Sequence, residues 1–131
     1  MDIYKKLGAF ANYFSMPTLA RNKCSIILVE NPGWAVEIDL KNTIITDVNF
    51  PPIVYGINAD DSIADYNNWY FCYIKDNVFY GGCAPDKLIK ILGIFFDLLE
   101  KYDFNYSQYS SVPDRPDKLF WSGIWAIIHE K

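Results

Sequence analysis

Apolar residues recur at helical spacing in the first stretch of the chain. Ile3, Leu7, Phe10, Ala11 and Phe14 fall on one side of a 3.6-residue turn, so residues 2–14 are predicted to be helical. Asp2 stands in the first turn, where an acid favours the helix dipole. Met16-Pro17 ends the helix, because the residue before a proline avoids the helical region. Residues 24–29 are β-branched and apolar and read as a strand. Asn31-Pro32-Gly33 is turn chemistry: proline fixes φ at one central position, and glycine accepts the positive φ that a type II turn needs at the next. The pattern then alternates. Trp34, Val36, Ile38 and Leu40 fall on one side, and Ala35, Glu37, Asp39 and Lys41 on the other, which predicts a half-buried antiparallel strand with a wet face. Trp34 is expected to anchor the core.

Lys41-Asn42 makes a second tight turn, and residues 43–48 are a third strand candidate. Pro51-Pro52 interrupts, residues 53–57 read as a short strand, and the polar, acid-rich residues 58–68 as a loop. In residues 69–75 the aromatics alternate, Trp69, Phe71 and Tyr73 opposing Tyr70, Cys72 and Ile74. Asp76-Asn77 turns this strand back into residues 78–80, and Gly81-Gly82 is expected to close the hairpin. Pro85 opens a second helix whose apolar face runs through Leu88, Ile91, Leu92, Phe95, Leu98, Leu99 and Tyr102, with Asp86 in its first turn and Lys101 in its last. Residues 105–116 read as a loop. Residues 118–129 are apolar on both faces under either template, and a strand is the chosen expectation. The sum is one α+β domain over residues 1–131: an N-terminal helix, an antiparallel β-meander of about five strands, and a second amphipathic helix packed on one sheet face.

Composition sharpens this picture in two respects. Ten Tyr, nine Phe and four Trp in 131 residues exceed what a core of this size needs, so part of the surplus is expected at a binding surface. A formal net charge of −4 argues against general affinity for nucleic acid or anionic membranes and permits a basic protein partner. Cys24, Cys72 and Cys83 form no CxxC pair, which fits a reducing compartment with thiols acting as small apolar residues. No charged-then-apolar leader opens the sequence and no apolar run approaches the roughly 20 residues of a membrane span, so a cytoplasmic location is expected.

Candidate chemistry is sparse. His129 is the only histidine, so no His-based ligand spacing exists, and Gly81-Gly82 lacks the remainder of a phosphate loop. Asp60-Asp61 with Asp65 lacks the glycine and terminal glutamate of a calcium loop. The sequence therefore points away from an enzyme and implies no cofactor and no metal. The charges themselves are unevenly placed. Residues 30–65 carry Glu30, Glu37, Asp39, Asp47, Asp60, Asp61 and Asp65 against Lys41 alone. Glu37 and Asp39 share one strand face, about 7 Å apart. Such acids form either a solvated face or a docking surface that Tyr55, Tyr66 and Tyr70, which flank them, would anchor.

The stretch ILVENPGWAVEIDLKNT at residues 27–43 resembles the signature of the immunity protein 53 family of bacterial polymorphic toxin systems. WYFC at 69–72, DNVFYG at 76–81, PDKL at 85–88 and ILGIF at 91–95 are similar to the family's strand, hairpin and helix, in the same order. The resemblance covers residues 12–102, with 103–131 as an extension. It departs at residues 15–23, where the family's acidic Trp-Glu-His segment has no counterpart. The resemblance implies a non-enzymatic inhibitor that binds the C-terminal toxin domain made beside it. If that domain is a nuclease with a basic groove, the seven acids with Tyr55, Tyr66 and Tyr70 are the expected contact residues. A small-ligand module with an aromatic pocket, and an orphan enzyme using carboxylates or a cysteine, are the alternatives.

Overall fold

The computed structural model describes residues 1–30 and 32–111. The expected strand at 118–129 and residue 31 of the expected turn lie outside the described residues. Helix α1 (Ile3–Phe14) starts where the Asp2 carboxylate accepts the Lys5 N–H at 2.9 Å, so Asp2 caps the helix from just outside its first turn. It ends at Ser15, before Met16-Pro17, and buries Ala9, Phe10 and Tyr13. Five strands follow: β1 (Cys24–Val29), β2 (Gly33–Asp39), β3 (Ile53–Tyr55), β4 (Tyr70–Lys75) and β5 (Val78–Cys83). Helix α2 (Leu88–Lys101) and a short 3₁₀ helix (Tyr106–Tyr109) complete the described chain.

All pairings are antiparallel, and the strand order is β1-β2-β5-β4-β3. The sheet is thus a β1–β2 hairpin joined through β2–β5 to a β3-β4-β5 meander. The strand expected at residues 43–48 is absent. Asn42 and Asp47 take positive φ (63° and 57°), and the Thr43 hydroxyl donates to Leu40 O and accepts the Ile45 N–H. The Ile44 N–H goes to the Tyr13 hydroxyl at 2.8 Å. Side chains capturing nearby backbone groups override the β-propensity of these residues. Ile45 and Thr43 are nevertheless buried, so the segment plugs the core as a chain of turns.

Three smaller expectations also change. The strand predicted at 53–57 stops at Tyr55, because Gly56 sits at φ +71°, and Ile57 instead forms an isolated bridge with Ile63. Gly81 and Gly82 lie inside β5 and do not end it. A Cβ on Gly81 would stand 2.8 Å from Ile91 Cγ2, so this glycine lets α2 approach the sheet. Asp86 precedes α2, whose first turn holds no acid, while Lys101 occupies the last turn as expected.

The register sorts side chains onto two faces. Val36, Gly81, Cys72 and Ile53 form one row of the helix-facing side, and Ile38, Phe79 and Ile74 another. Phe95 of α2 meets Phe79 edge-on at 5.1 Å and Phe10 of α1 at 5.1 Å, so both helices pack on this side. Trp34 is half-buried at the rim of this core, and its Nε1–H donates to Pro85 O at 2.9 Å, tying β2 to the connection that enters α2. Trp34→Ala should destabilise the fold by about 2–4 kcal/mol, and Trp34→Phe, which loses mainly the hydrogen bond, by about 1 kcal/mol. Urea unfolding monitored by circular dichroism measures both; equal losses would show that the ring contributes nothing beyond its N–H.

Candidate functional site

The expected contact residues fall at two ends of the sheet. At the end carrying the Asp76-Asn77 turn, whose residues both take positive φ (51° and 62°), lie Glu37, Asp39 and Asp47. Glu37 and Asp39 are half-buried on the side of the sheet away from the helices. Glu37 pairs with the Lys23 ammonium at 3.2 Å, and Asp39 accepts the Lys41 N–H at 3.0 Å. Asp47 is exposed and donates its backbone N–H to Asn77 Oδ1 at 2.9 Å.

The opposite end carries the rest. Glu30 is exposed in the β1–β2 connection. Asp60, Asp61 and Asp65 are exposed on the loop between β3 and β4, at the far edge of the sheet from β1. These carboxylates organise their own loop. Asp60 accepts the Ser62 hydroxyl and N–H, which hold its pKa below the ordinary value, and Asp65 accepts the Asn67 N–H at 2.9 Å. Tyr66 is exposed on the same loop. Tyr55 stacks on Tyr70 at 5.2 Å, and the Lys90 ammonium lies 5.6 Å above the Tyr70 ring. The fold therefore groups Tyr55, Tyr70 and the loop acids at one corner and leaves Glu37, Asp39 and Asp47 a sheet length away.

The wet side expected for the 34–41 strand is the side of the sheet opposite α1 and α2, and Glu37 and Asp39 lie on it. Among the described residues no helix covers the side opposite α1 and α2. Yet its middle is aromatic. Phe71 and Tyr73 stack at 6.1 Å, and Tyr73 and Tyr80 at 5.3 Å across the β4–β5 pair. Ile27 and Val54, at the two edges of the same face, are 53% and 60% exposed. A Cβ on Gly82 would lie 2.5 Å from Phe71 Cε1, so that glycine lets the Phe71 ring lie flat on the sheet. Glu37 stands directly across from Tyr80, at the rim of this surface. Residues 69–75 are apolar on both alternating sides, which was the available signal. Both helices among the described residues pack on the other side of the sheet.

Desolvation raises the thiol pKa of all three cysteines, which disfavours the thiolate. Cys72 and Cys83 are fully buried, and burial lifts the Cys72 thiol from its ordinary 9.0 to about 11. The stability linked to this shift is fully present below pH 9. It is lost as pH rises through 11, because the unfolded chain releases the proton first. Unfolding free energy should fall by roughly 2–3 kcal/mol across that window for the wild type relative to Cys72→Ala. Parallel pH profiles of the two proteins would show that the thiol does not titrate in this range. Among the described residues no group of three or more His, Cys, Asp or Glu side chains is placed to hold a metal ion. A cavity of about 300 Å³ between α1, α2 and β1 is lined almost wholly by apolar side chains, Phe10, Phe14, Ile38 and Leu92 among them. It lacks the converging polar groups that orient a small ligand.

Across the segment that builds the sheet and α2, the family model described as immunity protein 53 matches residues 20–100, more than half of the chain. The chain belongs to the immunity protein 53 family. The matched segment of this immunity protein contains all five strands, the aromatic outer face and all the expected contact residues; α1 and the 3₁₀ helix lie outside it. No curated protein and no solved structure matches the chain. Membership makes neutralisation of a toxin protein its general function. No helix among the described residues is long and apolar enough to cross a membrane.

Proposed function

We propose that this immunity protein neutralises the C-terminal domain of a cognate toxin, in the cytoplasm of the cell that makes both, by stoichiometric binding without catalysis. The aromatic outer face of the sheet carries this reading: Phe71, Tyr73 and Tyr80 present rigid rings on a flat surface that no described helix covers. Such rings are the usual anchors of protein interfaces, because they bury large area while fixing few rotatable bonds. Glu37 and Asp39 at the rim, with Asp47 beyond them, suit a basic partner, and a nuclease whose groove binds phosphates is the toxin class of that description. Tyr66, Asp60, Asp61 and Asp65 at the sheet's corner, with Glu30 across the sheet, add electrostatic steering, while Tyr55 and Tyr70 at that corner lie on the helix side.

Co-expression with the toxin domain encoded beside this protein tests the proposal. Growth rescue together with one-to-one co-purification is the expected result. Toxicity that persists, with no complex recovered, would remove the pairing. Glu37→Lys with Asp39→Lys should weaken binding at least tenfold, mainly through slower association, while thermal unfolding changes little. Unchanged affinity for that double variant would confine the contact to the aromatic rings.

A further inference from the structure

The sheet has two edges, and they differ. The β3 edge is three residues long and is preceded by Pro51-Pro52, which supply no N–H. The β1 edge is six residues long and apolar, with Ile26 39%, Ile27 53% and Leu28 69% exposed. Asp39 donates its N–H to Lys23 O at 2.8 Å, which fixes the phase of the β1–β2 ladder. Ser25, Ile27 and Val29 therefore bond to β2, and the N–H and C=O groups of Cys24, Ile26 and Leu28 point away from the sheet. A long, apolar strand with its hydrogen-bonding groups free among the described residues is a template for another strand.

We infer that the β1 edge pairs antiparallel with β1 of a second copy, joining the five described strands of each copy into one sheet across a two-fold axis. An axis normal to the sheet at Ile27 sets Ile27 against its own copy on the outer face and Ile26 against Leu28 on the helix side. Each Ile26–Leu28 pair exchanges two main-chain hydrogen bonds, and every strongly exposed apolar residue of the strand gains an apolar neighbour. Shifting the axis to Ile26 would instead set Ser25 against Ile27 and Cys24 against Leu28, which wastes that match. The charges agree with the antiparallel sense. Arg21 and Lys23 precede β1 and Glu30 follows it, so the basic end of one strand lies beside the acidic end of the other. A parallel partner copy would place like charges together. The two-fold keeps both aromatic outer faces on one side of the joined sheet. The inference stands without the toxin reading.

Sedimentation equilibrium of the full chain at micromolar concentration tests it, with a species of twice the chain mass expected. Leu28→Pro removes an outward N–H and no bond to β2, and should weaken the dimer at least tenfold. Ile27→Lys, which brings two ammonium groups together on the axis, should do the same while circular dichroism stays that of the wild type. Amide exchange at Ile26 and Leu28 should slow as protein concentration rises. A monomer throughout, or a dimer that neither variant weakens, overturns the inference. Another segment of this chain occupying β1 would appear as a monomer with those amides protected at every concentration, and a toxin strand as a monomer whose amides become protected only when the toxin domain is added.

Discussion

Phe95→Ala should destabilise the protein by about 3–5 kcal/mol, the largest loss expected from any single truncation. Phe95 is 1% exposed and stands where α1, α2 and the sheet meet. Its ring contacts Phe79 of β5 at 5.1 Å, Phe10 of α1 at 5.1 Å and Phe96 at 5.9 Å, mostly edge to face. Removing it forfeits the transfer energy of a full aromatic side chain. It also opens a void that α1 and the sheet cannot both close, because Gly81 already brings α2 against β5. For a domain of this size the melting temperature should fall by roughly 10–20 °C. Calorimetry reads this directly. A loss of about 1 kcal/mol or less would mean that α2 is not seated on the sheet through this ring.

Replacing Tyr73 and Tyr80 together by alanine should lower toxin affinity by at least ~100-fold, equivalent to about 2.7 kcal/mol, with the fold retained. The two rings face each other across β4 and β5 at 5.3 Å on the outer side, so no core contact to either helix is lost. The expected structural cost is about 1 kcal/mol, the value of a cross-strand aromatic pair. Calorimetric titration of the toxin domain separates the two effects, since unfolding would reduce the number of binding sites while loss of contact reduces their affinity. Full affinity in the double variant would move the interface away from this face and towards the Tyr55–Tyr70 corner.

Periodicity made the local elements legible. The bounds of β1 agree with the reading of residues 24–29, and α1 and α2 agree within a few residues, because their apolar spacings are unambiguous. What escaped was decided at a distance. Residues 43–48 carry β-branched side chains, but Asn42 and Asp47 at positive φ and the Tyr13 hydroxyl on Ile44 turn them into a plug. Nothing local announces that β2 takes β5 as its second neighbour. That choice also decides which alternating set of the 69–75 strand meets the helices, and so why Phe71 and Tyr73 face outward while Cys72 is buried. The acids were visible as a charge-rich segment, but their division between two ends of the sheet depends on the same strand order.

That strand order also bears on how the chain reaches its fold. The β1–β2 and β4–β5 hairpins each close over a short turn and can form within microseconds of one another. The β2–β5 seam joins Trp34 to Cys83 and Asp39 to Val78, partners far apart along the chain, and it forms only after the intervening segment has lost its freedom. The rate of folding is therefore set at the seam. Until it closes, two half-sheets each expose an apolar edge, and this delay is the interval in which a newly made immunity protein is most open to pairing with the wrong strand.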